Sequence, residues 1–493
     1  MSGGYLLLAT ILVPLAAAGL LVVTPQRFPN VVRAIALAAA ATMFALSVWV
    51  FVAFQTGSGG YQLTLRWDWI QNVGILGAHG ISVYLGVDGI AAPLVLLTGI
   101  VILAGTFVSL KIDRRNKDFF ILLFVLVAGV FGTFTALDMF VFFFFYEVAV
   151  LPMYLLIGVW GSTRKEYGAM KLTMMLVGSS ALIFIGIFAV FTEAGRGTFD
   201  LPTLWGIHYS PAFQKTFFPF FMIGCGVLAG LWPFHMWSPD GHMSAPTAVS
   251  MLHAGVLMKL GAFGIIRLGI QLLPEGAKFW MPALVVLATI NAAYGAIAAL
   301  SQRDFKLMTG YSSVSHMGYV LMGLATLNVV GINGAVLQMF SHGVMTALFF
   351  LCIGALYDQA HTREIPAFSG IAQKMPLWAG FFVLAGMASF GLPGLSGFVA
   401  EFNIFVGLFR TYPVLGGIAV FVAAITAAYV LRMFAIAFFG ELNPRWASLK
   451  EISVAESIGA VMLCGAIFFM GLWPSPFVER IATAVTHLPG VTG

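Results

Sequence analysis

Val141-Phe-Phe-Phe-Phe-Tyr-Glu-Val-Ala-Val-Leu-Pro-Met-Tyr-Leu-Leu-Ile157 is a wall of large apolar side chains with one carboxylate, Glu147, near its middle. With its neighbours the run reaches the roughly 20 apolar residues that a membrane-spanning helix needs. Holding an ionised carboxylate at mid-bilayer costs about 2.5–3.5 kcal/mol even on the lenient insertion scale. Such a group persists only where something pairs with it, hydrates it or protonates it. The rest of the chain reads as the set of helices that does this.

Composition agrees with a membrane solvent. Of 493 residues, 60% are hydrophobic and 9% charged, whereas about a quarter are charged in a soluble globular domain. Apolar runs recur from end to end, so the expected class is an all-α polytopic membrane protein. No long polar stretch divides it, which makes 1–493 a single transmembrane domain. The net charge of +5 argues for no nucleic-acid partner and fits basic loops on one membrane face. Cys225, Cys352 and Cys464 lie in apolar runs, so no disulfide framework is expected. Without CxxC, His/Cys metal spacing, a P-loop or a GxGxxG after a strand, neither cofactor nor metal is expected in this chain. Met1-Ser-Gly-Gly lacks the basic start of a signal peptide, so the first apolar run is expected to remain as a helix.

Hydropathy predicts fourteen spans, at about 4–23, 31–54, 82–110, 119–137, 139–160, 168–191, 217–237, 246–271, 279–300, 307–328, 330–357, 376–409, 412–438 and 456–474. Tyr61-Gln-Leu-Thr-Leu-Arg-Trp-Asp-Trp-Ile70 alternates and predicts a short strand or hairpin at the surface. The tail after Pro474 reads as an interfacial helix. With Lys259 inside a span, alternate loops hold sixteen lysines and arginines against seven. The richer set, with Lys111, Arg164, Arg303 and Arg363, is assigned to the cytoplasm and both termini to the other side.

Two spans are broken. Gly-Leu-Trp-Pro-Phe-His-Met-Trp-Ser-Pro-Asp at 230–240 interrupts the seventh, and Gly391-Leu-Pro-Gly-Leu-Ser-Gly397 the twelfth. Proline removes an amide hydrogen and glycine loosens the backbone. Taken as five-helix units, spans four to eight (about 119–271) and nine to thirteen (about 279–438) each carry the break on their fourth helix. Five is odd, so the second unit runs inverted. Interrupted helices at matching positions of inverted repeats point to an ion path at mid-membrane; two ordinary proline kinks are the alternative.

Ionisable side chains line up with this architecture. Lys259 is deep in the eighth span, in Met251-Leu-His-Ala-Gly-Val-Leu-Met-Lys-Leu-Gly-Ala-Phe-Gly264. Burial favours a neutral amine and a nearby carboxylate an ammonium; a lysine held between the two takes and releases a proton. The alternative is a static ion pair. Glu401 follows the break in the twelfth span, where a helix start favours negative charge, and capping is its alternative role. His316, in Tyr311-Ser-Ser-Val-Ser-His-Met-Gly318, and His342, in Gln338-Met-Phe-Ser-His-Gly343, are candidates because an imidazole can relay a proton through either ring nitrogen. A satisfied core hydrogen bond is the competing reading for each. His235, His253 and Lys306 are secondary candidates. Asp88 and Asp138 sit at span ends, where capping is expected. Acid, lysine, histidine, histidine and acid on successive helices suit proton translocation, with water bridging the gaps.

The motifs carry a resemblance. Tyr-Glu-Val-Ala-Val-Leu-Pro-Met-Tyr at 146–154, Pro-Phe-His-Met-Trp-Ser-Pro-Asp-Gly-His at 233–242, Ala-Pro-Thr-Ala at 245–248, Ala254-Gly-Val-Leu-Met-Lys259, Tyr-Ser-Ser-Val-Ser-His-Met-Gly at 311–318, His361-Thr-Arg and Gly-Leu-Pro-Gly-Leu-Ser-Gly-Phe-Val-Ala-Glu-Phe at 391–402 run over nearly the whole chain. The sequence resembles the M-chain (subunit 4) family of NADH-quinone oxidoreductase, respiratory complex I. The resemblance implies fourteen spans, two inverted repeats, and a hydrated axis holding Glu147, Lys259, His316, His342 and Glu401. It implies a subunit of an H+-translocating enzyme in the inner (cytoplasmic) membrane of a bacterium, beside L-type and N-type antiporter-like chains. NADH, FMN, iron–sulfur clusters and quinone would belong to partner subunits, and no redox chemistry to this chain. The L and N chains usually carry lysine where this one has Glu401. One departure stands out: the lysine expected seven residues before His235 is Leu228, and no lysine occurs from 217 to 239. The expected cycle loads Lys259 from the cytoplasm and passes the proton through His316 and His342 to Glu401. A cation/proton antiporter subunit and a non-pumping structural subunit remain the alternatives.

Overall fold

Hydrocarbon offers no hydrogen-bond partner, so an apolar run must satisfy its own amides, and helix is the way to do so. The computed structural model describes residues 3–57, 59–72 and 80–492. α1 (Gly3–Val23) and α2 (Pro29–Ala53) lead into an antiparallel hairpin of β1 (Gln62–Ile70) and β2 (Ile81–Val87). α3 (Ala91–Ser109), α4 (Asn116–Thr135), α5 (Met139–Trp160) and α6 (Lys165–Ala194) follow. After the short α7 (Leu201–Trp205) come α8 (Pro211–Leu228) and α9 (Trp237–Ser244). The run from Thr247 to Ile270 is one continuous span. It joins α10 (Thr247–Leu252) and α11 (Met258–Gly264) through wide π turns at His253–Leu257 and Ile265–Ile270. α12 (Pro274–Ser301), α13 (Phe305–Ala325), α14 (Val329–Ala360), α15 (Pro376–Ser389), α16 (Ser396–Thr411), α17 (Pro413–Ala437), α18 (Val454–Leu472) and α19 (Ser475–Val485) complete the chain.

Among the described residues, eleven helices are long and apolar enough to cross a membrane. α3, the 247–270 run and α14 are enclosed almost completely, while α2 and α17 bury only one side. The outer helices present Val414 and Phe421 to their surroundings, as lipid-facing helices do. α19 is short and amphipathic: Phe477, Ile481 and Val485 form its buried stripe, with Phe477 against Phe51, Phe340 and Phe469.

The hairpin corrects one boundary. Hydropathy starts the third span at 82, but residues 81–87 form β2 and the helix starts at Ala91. Ile81-Ser-Val-Tyr-Leu-Gly-Val87 is rich in β-branched and aromatic residues, and its amides pair with β1. Asp88 then caps α3, accepting from the amides of Ile90 and Ala91 at 3.1 and 2.9 Å. Asp138 caps α5 in the same way, through the amides of Phe140 and Val141.

Two polar clasps close the ends of the bundle. At one, Arg363 pairs with Asp304 at 3.2 Å and donates to Ser162 Oγ, the Met243 carbonyl and Thr163 Oγ1. At the other, Ser82 gives its amide to Asp138 at 3.0 Å and its hydroxyl to Asp200 at 2.7 Å. Asp200 also binds Arg66 at 2.8 Å. Burial pushes the Asp138 carboxyl up to about 7, with the Asp200 charge adding to it and three backbone amides opposing.

Each clasp yields a test. Arg363→Ala strips Asp304 of its cation and should cost about 3 kcal/mol, read as a lower melting temperature of the purified assembly. Asp138 binds its proton more tightly folded than unfolded. Its contribution is therefore full below about pH 4 and lost as pH rises through about 7. Melting temperature should fall across that window, and Asp138→Asn should flatten the fall.

Candidate functional site

Lys259 lies on the α11 turn after the first π turn and is fully buried. Its Nζ donates to the Ala254 carbonyl and, at 2.6 Å, to His342 Nδ1 on α14. Close approach of the two helices allows this contact. A Cβ on Gly343 would sit 2.6 Å from the Gly255 carbonyl, so only glycine fits there.

From His342 the next ionisable side chain is His316 on α13, 5.5 Å away from ring centre to ring centre. His316 Nε2 meets Ser389 Oγ at 3.1 Å, where α15 ends. His316 Nδ1 faces two groups: the Gln338 amide nitrogen at 3.1 Å and Glu401 Oε1 at 3.4 Å. In the tautomer with hydrogen on Nε2, that N–H donates to Ser389 and Nδ1 accepts from Gln338. A proton arriving on Nδ1 turns that nitrogen into a donor aimed at Glu401. Glu401 is buried on α16, beyond the 390–395 interruption. Gly391 there has φ +70, and a Cβ on it would sit 2.8 Å from Glu401 Oε2. The bend in the chain thus makes room for the carboxylate.

Four of the five residues expected on the axis therefore form one buried line: Lys259, His342, His316, Glu401. The order corrects the expected one. His342 and not His316 receives the lysine, because Gly343 lets α14 approach the 247–270 run. Glu401 does not cap its helix, since it stands five residues past the helix start and pairs with His316. Glu147 is not part of this line. It is half-buried on α5 and reaches the Ser180 hydroxyl of α6. Among the described residues no ion pair joins it to a cation. Leu228 is fully buried at the end of α8, so apolar packing fills the position where lysine was expected.

The secondary candidates separate. Lys306 is buried on α13 and donates to the Ala245 carbonyl at 2.6 Å. It lines a cavity of about 330 Å³ together with Lys111, Ser162, Tyr357 and Asp358. Lys111 bridges Asp358 and Glu456. Burial works against its charge, but the two carboxylates prevail and raise its proton affinity above that of a free lysine. His235 stands edge-on to Tyr294 at 4.9 Å. His253 stacks between Trp237 and His242, at 5.1 and 4.0 Å. Sequence reading gave no role to Gln338 or His242. Gln338 precedes His342 by one helical turn, a spacing that shares a face; His242 carries no such mark.

Among the described residues no group of three or more His, Cys, Asp or Glu could hold a metal ion, and the three cysteines are free.

Comparison with known proteins matches residues 136–426 to the family described as NADH:quinone oxidoreductase/Mrp antiporter, TM. The chain is 36% identical to NAD(P)H-quinone oxidoreductase chain 4 2 of Thermosynechococcus vestitus, over 97% of this chain and 90% of that one. It is 34% identical to NADH-quinone oxidoreductase subunit M of Rhodobacter capsulatus, over 96% and 94%. A chain of respiratory complex I from Thermus thermophilus superposes with TM-score 0.88 at 26% identity, covering 97% of this chain and 98% of that one. This chain belongs to the NADH:quinone oxidoreductase/Mrp antiporter family, as an antiporter-like membrane subunit of the chain 4, or M, type.

Proposed function

We propose that the chain translocates protons along the line from Lys259 through His342 and His316 to Glu401, driven by quinone reduction elsewhere in its complex. The observation that carries this reading is the buried row of neighbouring ionisable groups, Lys259 on His342, His342 beside His316 and His316 against Glu401. Among the described residues no convergent donor cluster for an organic substrate accompanies it. Moving one proton against the membrane potential takes about 2.3 kcal/mol per 100 mV. Redox energy released in partner subunits supplies it, and this chain performs no electron transfer.

The architecture we propose has fourteen crossings in the inner (cytoplasmic) membrane, both termini non-cytoplasmic, with inverted repeats at about 119–271 and 279–438. The interruptions between α8 and α9 and between α15 and α16 support it, since they fall on matching helices of the two units. L-type and N-type chains would flank this one. The proton enters through the cavity at Lys306, on the face where basic loops gather. Loading Lys259 makes an ammonium whose proton passes to His342 Nδ1 across the 2.6 Å contact. His316 then receives it and delivers it through Nδ1 to Glu401, from which it leaves on the far side. Glu147, on the outer side of α5, senses charge across the subunit boundary and biases the loading of Lys259.

A second reading has support of its own. Glu147 lacks a cation partner among the described residues and Leu228 replaces a lysine, which suits a non-pumping structural subunit. The cation/proton antiporter reading predicts sodium- or potassium-dependent exchange without NADH.

Lys259→Ala should leave the complex assembled and remove most quinone-linked proton pumping, measured in proteoliposomes. Native pumping in that variant contradicts the translocation reading and favours the structural one. Glu147→Gln should likewise assemble and lose most pumping; an unchanged proton yield would remove Glu147 from the scheme. Gln338→Leu takes away one of the two partners of His316 Nδ1 and should slow pumping severalfold without abolishing it.

A further inference from the structure

Four enclosed nitrogens between the cavity and Lys259 have no role in the line just described. They belong to His242, at the end of α9, and His253, at the start of the first π turn. Both side chains are 0–1% exposed. Neither Nδ1 nor Nε2 of either ring has a hydrogen-bond partner among the described residues. A histidine kept for structure alone fixes its N–H on an acceptor.

The rings are held, but through their faces. They stack on one another at 4.0 Å and 26°, with Phe350 on the outer face of His242 at 4.9 Å and Trp237 on that of His253 at 5.1 Å. Four aromatic planes in a pile set the resting plane of each ring and leave every nitrogen on an edge. Trp237 is itself fixed by its Nε1–H to the Val227 carbonyl at 3.0 Å.

The position is that of a link. His242 precedes Ala245, whose carbonyl binds Lys306 at the cavity, by three residues. Its ring is within electrostatic reach of Lys306, His253 and Lys259. His253 precedes Lys259 in the same span, and the π turn between them widens the helix at that point. Such turns are concentrated at functional sites.

We propose that the stacked His242 and His253 imidazoles relay protons from the cytoplasmic cavity at Lys306 to the Lys259 amine. This rests on the translocation reading above. A proton from the cavity bonds to the free nitrogen lone pair of His242, making an imidazolium. The N–H bond at its other nitrogen breaks, and that proton passes by way of water to the lone pair of His253, since stacked rings cannot bond nitrogen to nitrogen. His253 repeats the exchange, and the Lys259 amine accepts the proton. Each ring then turns over to restore its tautomer.

The intact complex in proteoliposomes tests this. His242→Phe and His253→Phe keep the stack and remove its nitrogens, so both should assemble and lose pumping severalfold. His253→Gln keeps polarity but binds no proton, so it should not restore pumping; if a Phe variant fails to assemble, the Gln variant decides. Native pumping in an assembled Phe variant, or restored pumping in the Gln variant, overturns the relay. Lys259→Ala, measured alongside, separates the two claims. Loss there with normal pumping in the histidine variants removes only the relay, whereas native pumping in Lys259→Ala removes the translocation reading itself.

Discussion

The contact between Lys259 Nζ and His342 Nδ1 organises the interior. A primary amine at the centre of a bundle has no bulk water to lean on, and the desolvation of its charged form is severe. The neighbouring imidazole and the Ala254 carbonyl accept its hydrogens. Everything around this contact serves to bring the two helices together. Gly255 and Gly343 face each other, the π turn frees a carbonyl, and α3 seals the outside. From that junction the histidines lead to Glu401, whose carboxylate would otherwise be isolated.

Much of this was legible in the chain. Runs of apolar residues mark helices because hydrocarbon permits little else, so the spans and the interruptions at 230–240 and 391–397 stand out. The identities of Lys259, His316, His342 and Glu401 were legible for a related reason: an ionisable side chain is conspicuous in an apolar run. Which of them touch was not legible. His316 and His342 lie on neighbouring helices, and only the depth at which those helices cross decides which one faces the lysine. Composition does not encode that depth; the Gly255–Gly343 approach sets it.

Other features left no mark in the sequence. A π turn has no residue signature, so the region from His253 to Leu257 reads as plain helix. β2 reads as the start of a span because its residues are apolar, and only pairing with β1 makes it a strand. His242 reads as part of a Pro-Asp-Gly-His motif, eleven residues from His253 across Pro246, and the fold brings the two rings face to face. Glu147 shows the opposite limit. Its chemistry is plain in the sequence, yet the fold leaves it half-buried on α5 with the Ser180 hydroxyl beside it.

The Arg363 clasp has a mechanical consequence. Its guanidinium ties Asp304 to Ser162, Thr163 and Met243, which come from opposite halves of the chain. Swinging one half against the other would break all of these bonds at once. They oppose that motion at this end of the bundle. Ring flips and rotamer changes inside the frame leave all of these bonds intact.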